Sequence, residues 1–193
     1  DTGILEEAPV SCALRPGWDH TQVSDLSAAA SGELALYLRA GGRLDAEAPS
    51  GPELPANVNN FRTDPSYGLA EALRDDMAGV PAALTREEVV YEGEPLEQDW
   101  IILGAPRASL CLLSNRPAFQ IHVELYDVDP QGQTPILISR GHWGTRAATP
   151  GHHLRVEIET ATIHYRLPAG HRLRAVMTNY NTTFAYPTFE VAC

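Results

Sequence analysis

The sequence predicts an all-β fold, an antiparallel two-sheet sandwich of the jelly-roll kind, and three observations carry that prediction. Apolar and polar residues alternate with period two in segment after segment, the pattern of strands with one face in a core. Gly and Pro, fifteen of each, punctuate these segments at the spacing of short strands and turns. Helical periodicity is confined to a single stretch, Tyr67–Ala78, where Leu69, Ala72, Leu73 and Met77 recur at the right interval for one short helix.

The clearest strand is Phe119–Val128, with Ile121, Val123 and Leu125 directed to one face and His122, Glu124 and Tyr126 to the other. Asp129-Pro130-Gln131-Gly132 then supplies turn chemistry. Further strands are predicted over Leu34–Arg39, Glu88–Tyr91, Trp100–Leu103, Ala108–Leu113, Pro135–Ser139, Leu154–Thr160, Leu173–Asn179 and Phe184–Val191. The inward set Leu154, Val156, Ile158 changes phase to Ile163 and Tyr165, so a bulge or a crossing between sheets is expected near Thr160. The predicted core is built on Ile121, Val123, Leu125, Val156 and Ile158, and Cys111, inside an apolar run, is expected to be buried with it.

A chain of 193 residues suffices for one well-buried core, and one domain is expected over the whole length. Residues 45–81 form a long excursion rich in Pro, Gly, Asn and Ala, read as a segment that packs on something outside the chain. The first residue is Asp1, and the opening segment has no leader pattern. The chain therefore reads as cut from something larger, with targeting information expected upstream and a cytoplasmic setting favoured.

The formal charge of −11 argues against nucleic acid, because phosphate binding needs clustered cations. No apolar run is long enough for a membrane helix. All fourteen basic residues are Arg, which removes lysine chemistry. Cys12, Cys111 and Cys193 lack metal-ligand spacing, and His152 and His153, adjacent on a strand, point to opposite faces. No metal or cofactor is expected. The G-x-S-x-G pentapeptide that exposes a hydrolase nucleophile is missing, since Ser31-Gly32 and Ser50-Gly51 lack the preceding Gly. No catalytic residue is therefore expected in the chain. The residues singled out as facing another domain or a ligand are Trp18, His142, Trp143, His171 and Arg172, the aromatics because large amphipathic rings anchor interfaces. Gly170 is expected to turn the chain with a positive φ so that His171 and Arg172 can open a strand and hydrogen-bond across a sheet or an interdomain seam.

Read in order, the segments resemble the C-terminal domain of the X-prolyl dipeptidyl peptidase, cocaine esterase and α-amino acid ester hydrolase family. The resemblance is carried by Asp1-Thr2-Gly3-Ile4 with Pro9-Val10, by Leu36-Tyr37-Leu38 with Gly41-Gly42 and Leu44, and by Asp64-Pro65. It continues through Arg86, Val89, Tyr91, Pro95, Leu96 and Gly104, then Leu125, Asp127, Val128, Pro130 and Gly132, and ends on Ala169-Gly170-His171-Arg172-Leu173-Arg174. Ala118-Phe119 and the helix-like Tyr67–Ala78 depart from the family pattern. The resemblance implies a galactose-binding-like jelly roll that carries no catalytic residues. It also implies an upstream α/β-hydrolase domain of the same polypeptide as partner, holding the Ser, Asp and His, with this domain walling part of its cleft; a homo-oligomer is a further possibility. The competing reading is a carbohydrate-binding jelly roll, for which Trp143 beside His142 would form the sugar face. A free-standing enzyme is the weakest reading.

Overall fold

A computed structural model describes residues 10–25, 31–58, 88–133 and 135–178. Within them twelve strands form an all-β sandwich: β1 (Val10–Leu14), β2 (Asp19–Val23), β3 (Tyr37–Arg39), β4 (Arg43–Asp45), β5 (Glu88–Glu92), β6 (Trp100–Gly104), β7 (Arg107–Leu113), β8 (Phe119–Val128), β9 (Ile136–Thr145), β10 (His153–Glu159), β11 (Ile163–Leu167) and β12 (Arg172–Thr178). The expected helix Tyr67–Ala78, the expected strand Phe184–Val191, most of the 45–81 excursion and Cys193 lie outside the described residues.

One layer is a six-stranded sheet in the order β3-β4-β5-β12-β8-β9. Its pairings are antiparallel except for a single parallel contact, Arg43 with Glu92, between β4 and β5, so the sheet is not antiparallel throughout. The other layer consists of two antiparallel ribbons, β7 with β10 and β6 with β11, joined by the β1–β2 hairpin through a bridge from Arg15 to Tyr165.

Between the layers the core divides in two. Ile121, Val123, Ala175 and Met177 of the large sheet pack on Val156 and Ile158 of β10, and Ile138 and Leu173 pack on Tyr165 and Leu167 of β11. Ile121 and Val123 of β8 and Val156 and Ile158 of β10 point inward as the sequence predicts, but Leu125 is only partly buried and β8 is not half-exposed, because His122 and Glu124 on its other face are buried as well. Cys111 is not buried: it lies on the exposed phase of β7, its Sγ 3.6 Å from His153 Nδ1. An apolar run sets burial only where another layer covers both faces, and the outer face of β7 carries Arg107, Ser109 and Cys111 in the open.

The division of the core coincides with the break expected near Thr160. There Thr160, Ala161 and Thr162 stand opposite Ala105 and Pro106, one residue more on one strand than on the other, and the ribbon bends. The Thr160 amide and hydroxyl both donate to the Pro106 carbonyl, at 2.9 and 3.0 Å, and the Ala161 amide donates to Arg140 at 2.9 Å. Ser139 Oγ lies 2.6 Å from the Ala161 carbonyl and 2.9 Å from Thr160 Oγ1. Strand β9 passes so close to this bend that a Cβ on Gly141 would sit 2.5 Å from the Glu159 carbonyl oxygen. This is why β9 continues through Gly141 and Gly144 to Thr145, where propensity alone suggested an end at Ser139.

Candidate functional site

Four connections converge at one end of the sandwich. The turn into β12 is held against the loop before β6: Gly170 donates to the Leu96 carbonyl at 2.8 Å, Leu96 donates to the His171 carbonyl at 2.9 Å, and the Ala169 amide donates to Asp99 Oδ1 at 2.8 Å. Gly170 has φ +81°, the conformation its place in the turn demands, and it abuts Pro130 of the β8–β9 turn at 3.7 Å from its Cβ position. The fourth connection is the β1–β2 turn. Arg15 is stitched to β11 by its amide, which donates to His164 at 2.9 Å, and by its carbonyl, which accepts from Arg166 at 2.7 Å.

Asp127 lies at the centre of this end, with its side chain 4% exposed. It continues the inward phase of Ile121, Val123 and Leu125, so a carboxylate is carried into the core side. Burying a carboxylate requires hydrogen-bond donors. Tyr165 supplies one through its hydroxyl, 2.8 Å from Oδ2, and His171 the other through Nδ1, 2.6 Å from Oδ1. The contact fixes the His171 tautomer with the proton on Nδ1 and leaves Nε2 at a side chain about a quarter exposed. Burial, the hydrogen bond to Asp127 and the Asp127 charge together hold the Tyr165 hydroxyl well above the usual phenol range, while Arg15 opposes them. The charge of Arg15 therefore reaches this network. Its guanidinium lies 5.5 Å over the Trp18 ring, and Trp18 is 66% exposed with φ 64°.

Beside the network, Arg172 and Arg174 enclose Glu92 on the outer face of the large sheet, at 2.9 and 2.6 Å. Burial is the largest single influence on Glu92 and pushes its carboxyl up, but the hydrogen bonds and charges of Arg174 and Arg172 outweigh it and hold the carboxyl below its usual range. His171 and Arg172 therefore lie at this end, whereas Trp18 is tied to the neighbouring strand β11 through Arg15, whose backbone is bonded on both sides of Tyr165. His142 and Trp143 are placed elsewhere, and on opposite faces of β9: Trp143 packs toward the core with its ring 5.5 Å from Phe119, while His142 stacks on His122 at 5.7 Å. They form no common sugar face. Sequence reasoning missed Asp127, Tyr165, Arg15 and Glu92 as partners in the site, and the one legible signal was the carboxylate of Asp127 in an inward register.

The arrangement positions and anchors. Among the described residues no cluster of His, Cys, Asp or Glu could hold a metal, and the Asp127–His171 pair is closed by Tyr165 with no serine or cysteine hydroxyl or thiol bonded to His171. Fold and site thus define an all-β module with a polar, hydrogen-bonded end. The chain belongs to the family of X-Pro dipeptidyl-peptidase C-terminal non-catalytic domains, whose model matches residues 6–188. No curated protein sequence matches it closely enough to count as a relative. Among solved structures it is similar to an aminopeptidase from a marine sediment Thaumarchaeota archaeon, with 16% identity, a TM-score of 0.67, and coverage of 92% of this chain and 36% of that one. It is similar also to an α-amino acid ester hydrolase (20% identity, TM-score 0.55, 79% of this chain and 32% of that one). A CocE/NonD family hydrolase from Staphylococcus aureus is a third (13% identity, TM-score 0.60, 96% and 36%). At these identities the likenesses establish the fold, and the chain spans about a third of the length of each.

Proposed function

We propose that this chain serves as the C-terminal accessory domain of a serine hydrolase of the X-Pro dipeptidyl peptidase or acyl esterase type, packing on an upstream α/β-hydrolase domain and shaping its substrate cleft. The observation that carries the reading is the family match over residues 6–188 to a non-catalytic domain, joined to solved relatives that contain this fold in about a third of their length. Acyl transfer needs an activated nucleophile, a base and an oxyanion hole, and these belong to the remaining portion of such an enzyme. The carbohydrate-binding reading loses its proposed platform, because Trp143 is packed against Phe119.

The test is addition of this chain in trans to the hydrolase portion of its polypeptide. The expected result is binding that raises the thermal stability or the activity of the hydrolase portion, as any ligand of the native state does, with no fluorophosphonate labelling of this chain. Stoichiometric labelling of a Ser in this chain, or failure to bind a folded hydrolase portion, would overturn the reading.

A further inference from the structure

We propose that Cys111, with His153 and Arg155 beside it on the outer face of the β7–β10 ribbon, is a modification site that forms a mixed disulfide with an anionic low-molecular-weight disulfide. The site is independent of the accessory-domain reading, since it lies on the face of the ribbon turned away from the core. Cys111 is a free, exposed cysteine, whereas Cys12 is partly buried. The Cys111 Sγ lies 3.6 Å from His153 Nδ1, within hydrogen-bond reach for sulfur, and Arg155 is the direct partner of Cys111 in the strand register. Side chains so paired on one face of an antiparallel ribbon sit about 4.5–5.5 Å apart at Cβ.

The charge around the thiol selects the ligand. Along this face Arg107 pairs with Glu159 at 3.4 Å and Ser109 donates to Glu157, so the acids of β10 are engaged before Cys111 is reached. Arg155 takes part in none of the ion pairs found among the described residues. Neither residues 100–123 nor residues 130–156 contain an Asp or Glu, although the chain as a whole has a formal charge of −11. The loops at this end carry Arg116 and Arg146 and are tied to each other, Gly151 donating to the Ser114 carbonyl at 2.8 Å and Ala148 to the Pro117 carbonyl at 2.9 Å. A disulfide bearing carboxylates is therefore drawn to Cys111, and a cationic one is repelled.

The exchange balances without any further oxidant. His153 Nδ1 accepts the thiol proton as Cys111 Sγ attacks one sulfur of the small disulfide. A new S–S bond forms between Cys111 and that sulfur, the original S–S bond breaks, and the other half leaves as a thiolate that recovers the proton from His153. The small disulfide is the oxidant and its departing half the reduced product, and excess thiol reverses the step. Thiolate formation and access together decide which cysteine reacts, and Cys111 combines exposure with a base in contact.

Treatment of the complete polypeptide, hydrolase portion included, with oxidised glutathione tests this, each cysteine being followed by peptide mass mapping. Cys111 is expected to gain the glutathione adduct roughly tenfold faster than Cys12, and dithiothreitol to remove it. Arg155→Gln is expected to slow the reaction with oxidised glutathione about threefold to fivefold, the size of one screened charge at this separation, and to leave the rate with neutral 2-hydroxyethyl disulfide unchanged. His153→Ala is expected to slow both probes, with added imidazole restoring part of the rate, a recovery that a purely structural role would not produce. Equal rates at Cys111 and Cys12 would overturn the site. An Arg155→Gln variant that slows neither probe, or both alike, would overturn the ligand class, and a His153→Ala variant with the original rate would overturn the base. Crosslinking of Cys111 to a second copy in place of the glutathione adduct would overturn the assignment to a small disulfide.

Discussion

Removing the Tyr165 hydroxyl should uncouple the network at the turn end of the sandwich, with a cost that can be worked from its geometry. Tyr165 is 3% exposed, and its hydroxyl donates at 2.8 Å to an Asp127 carboxylate that is itself 4% exposed. A hydrogen bond to a charged group contributes about 1.5–3 kcal/mol. In Tyr165→Phe the carboxylate keeps His171, and the ring keeps its packing on Ile138 and Leu173, which places the loss near the lower end of that range. For a domain of this size it corresponds to a fall in Tm of roughly 3–8 °C. Thermal unfolding of Tyr165→Phe, Asp127→Asn and the double variant closes the cycle, with an expected coupling of about 1 kcal/mol or more. The alkaline limb gives a second readout. Because the folded-state pKa of Tyr165 is raised, its contribution is fully present below the unfolded phenol value of about 10 and is lost as pH climbs above it. Tyr165→Phe should therefore flatten the loss of stability above about pH 10. Additive single variants together with an unchanged alkaline limb would refute the coupling of Tyr165 to Asp127.

Gly141→Ala should destabilise by about 1–3 kcal/mol, since the new methyl would meet the backbone of Glu159 and Thr160 with no flexible side chain to give way; an unchanged Tm would show that β9 does not press on the bend. Glu92→Gln should act on the acid side: with its carboxyl held low by Arg172 and Arg174, Glu92 stabilises the fold above its ordinary pKa, and that contribution is lost as pH falls through the folded value. The variant is therefore expected to lower Tm near neutrality by an amount worth about 1 kcal/mol or less and to flatten the dependence of Tm on pH below about 4.5. An unchanged acid limb would remove Glu92 from the account.

Much of the sandwich is legible in the sequence. Alternation in Phe119–Val128 and Leu154–Thr160 assigns each side chain to a face, and the phase change after Ile158 marks the bend between the two ribbons. The β1–β2 hairpin, the short strand β4 and the second half of β9 escape such reading. Their patterns are broken by Pro16, Gly17, Gly41, Gly42, Gly141 and Gly144, residues that usually mark a strand's end. At Gly141 the glycine instead admits a neighbouring backbone.

The candidate site divides in the same way. By itself the sequence determined that the chain is all-β, that it carries no nucleophile motif, and that Gly170 turns the chain ahead of His171 and Arg172. Tertiary structure alone decided which of these residues meet. Asp127 joins Tyr165 across 38 positions of sequence and His171 across 44, Arg172 finds Glu92 across 80, and His142 and Trp143, neighbours in the chain, are sent to opposite faces. The physical reason is that a period of two fixes the face a side chain occupies, whereas its partner depends on strand order and register. Those are set by how the layers bury their apolar faces together, a property of the whole core that no local pattern contains.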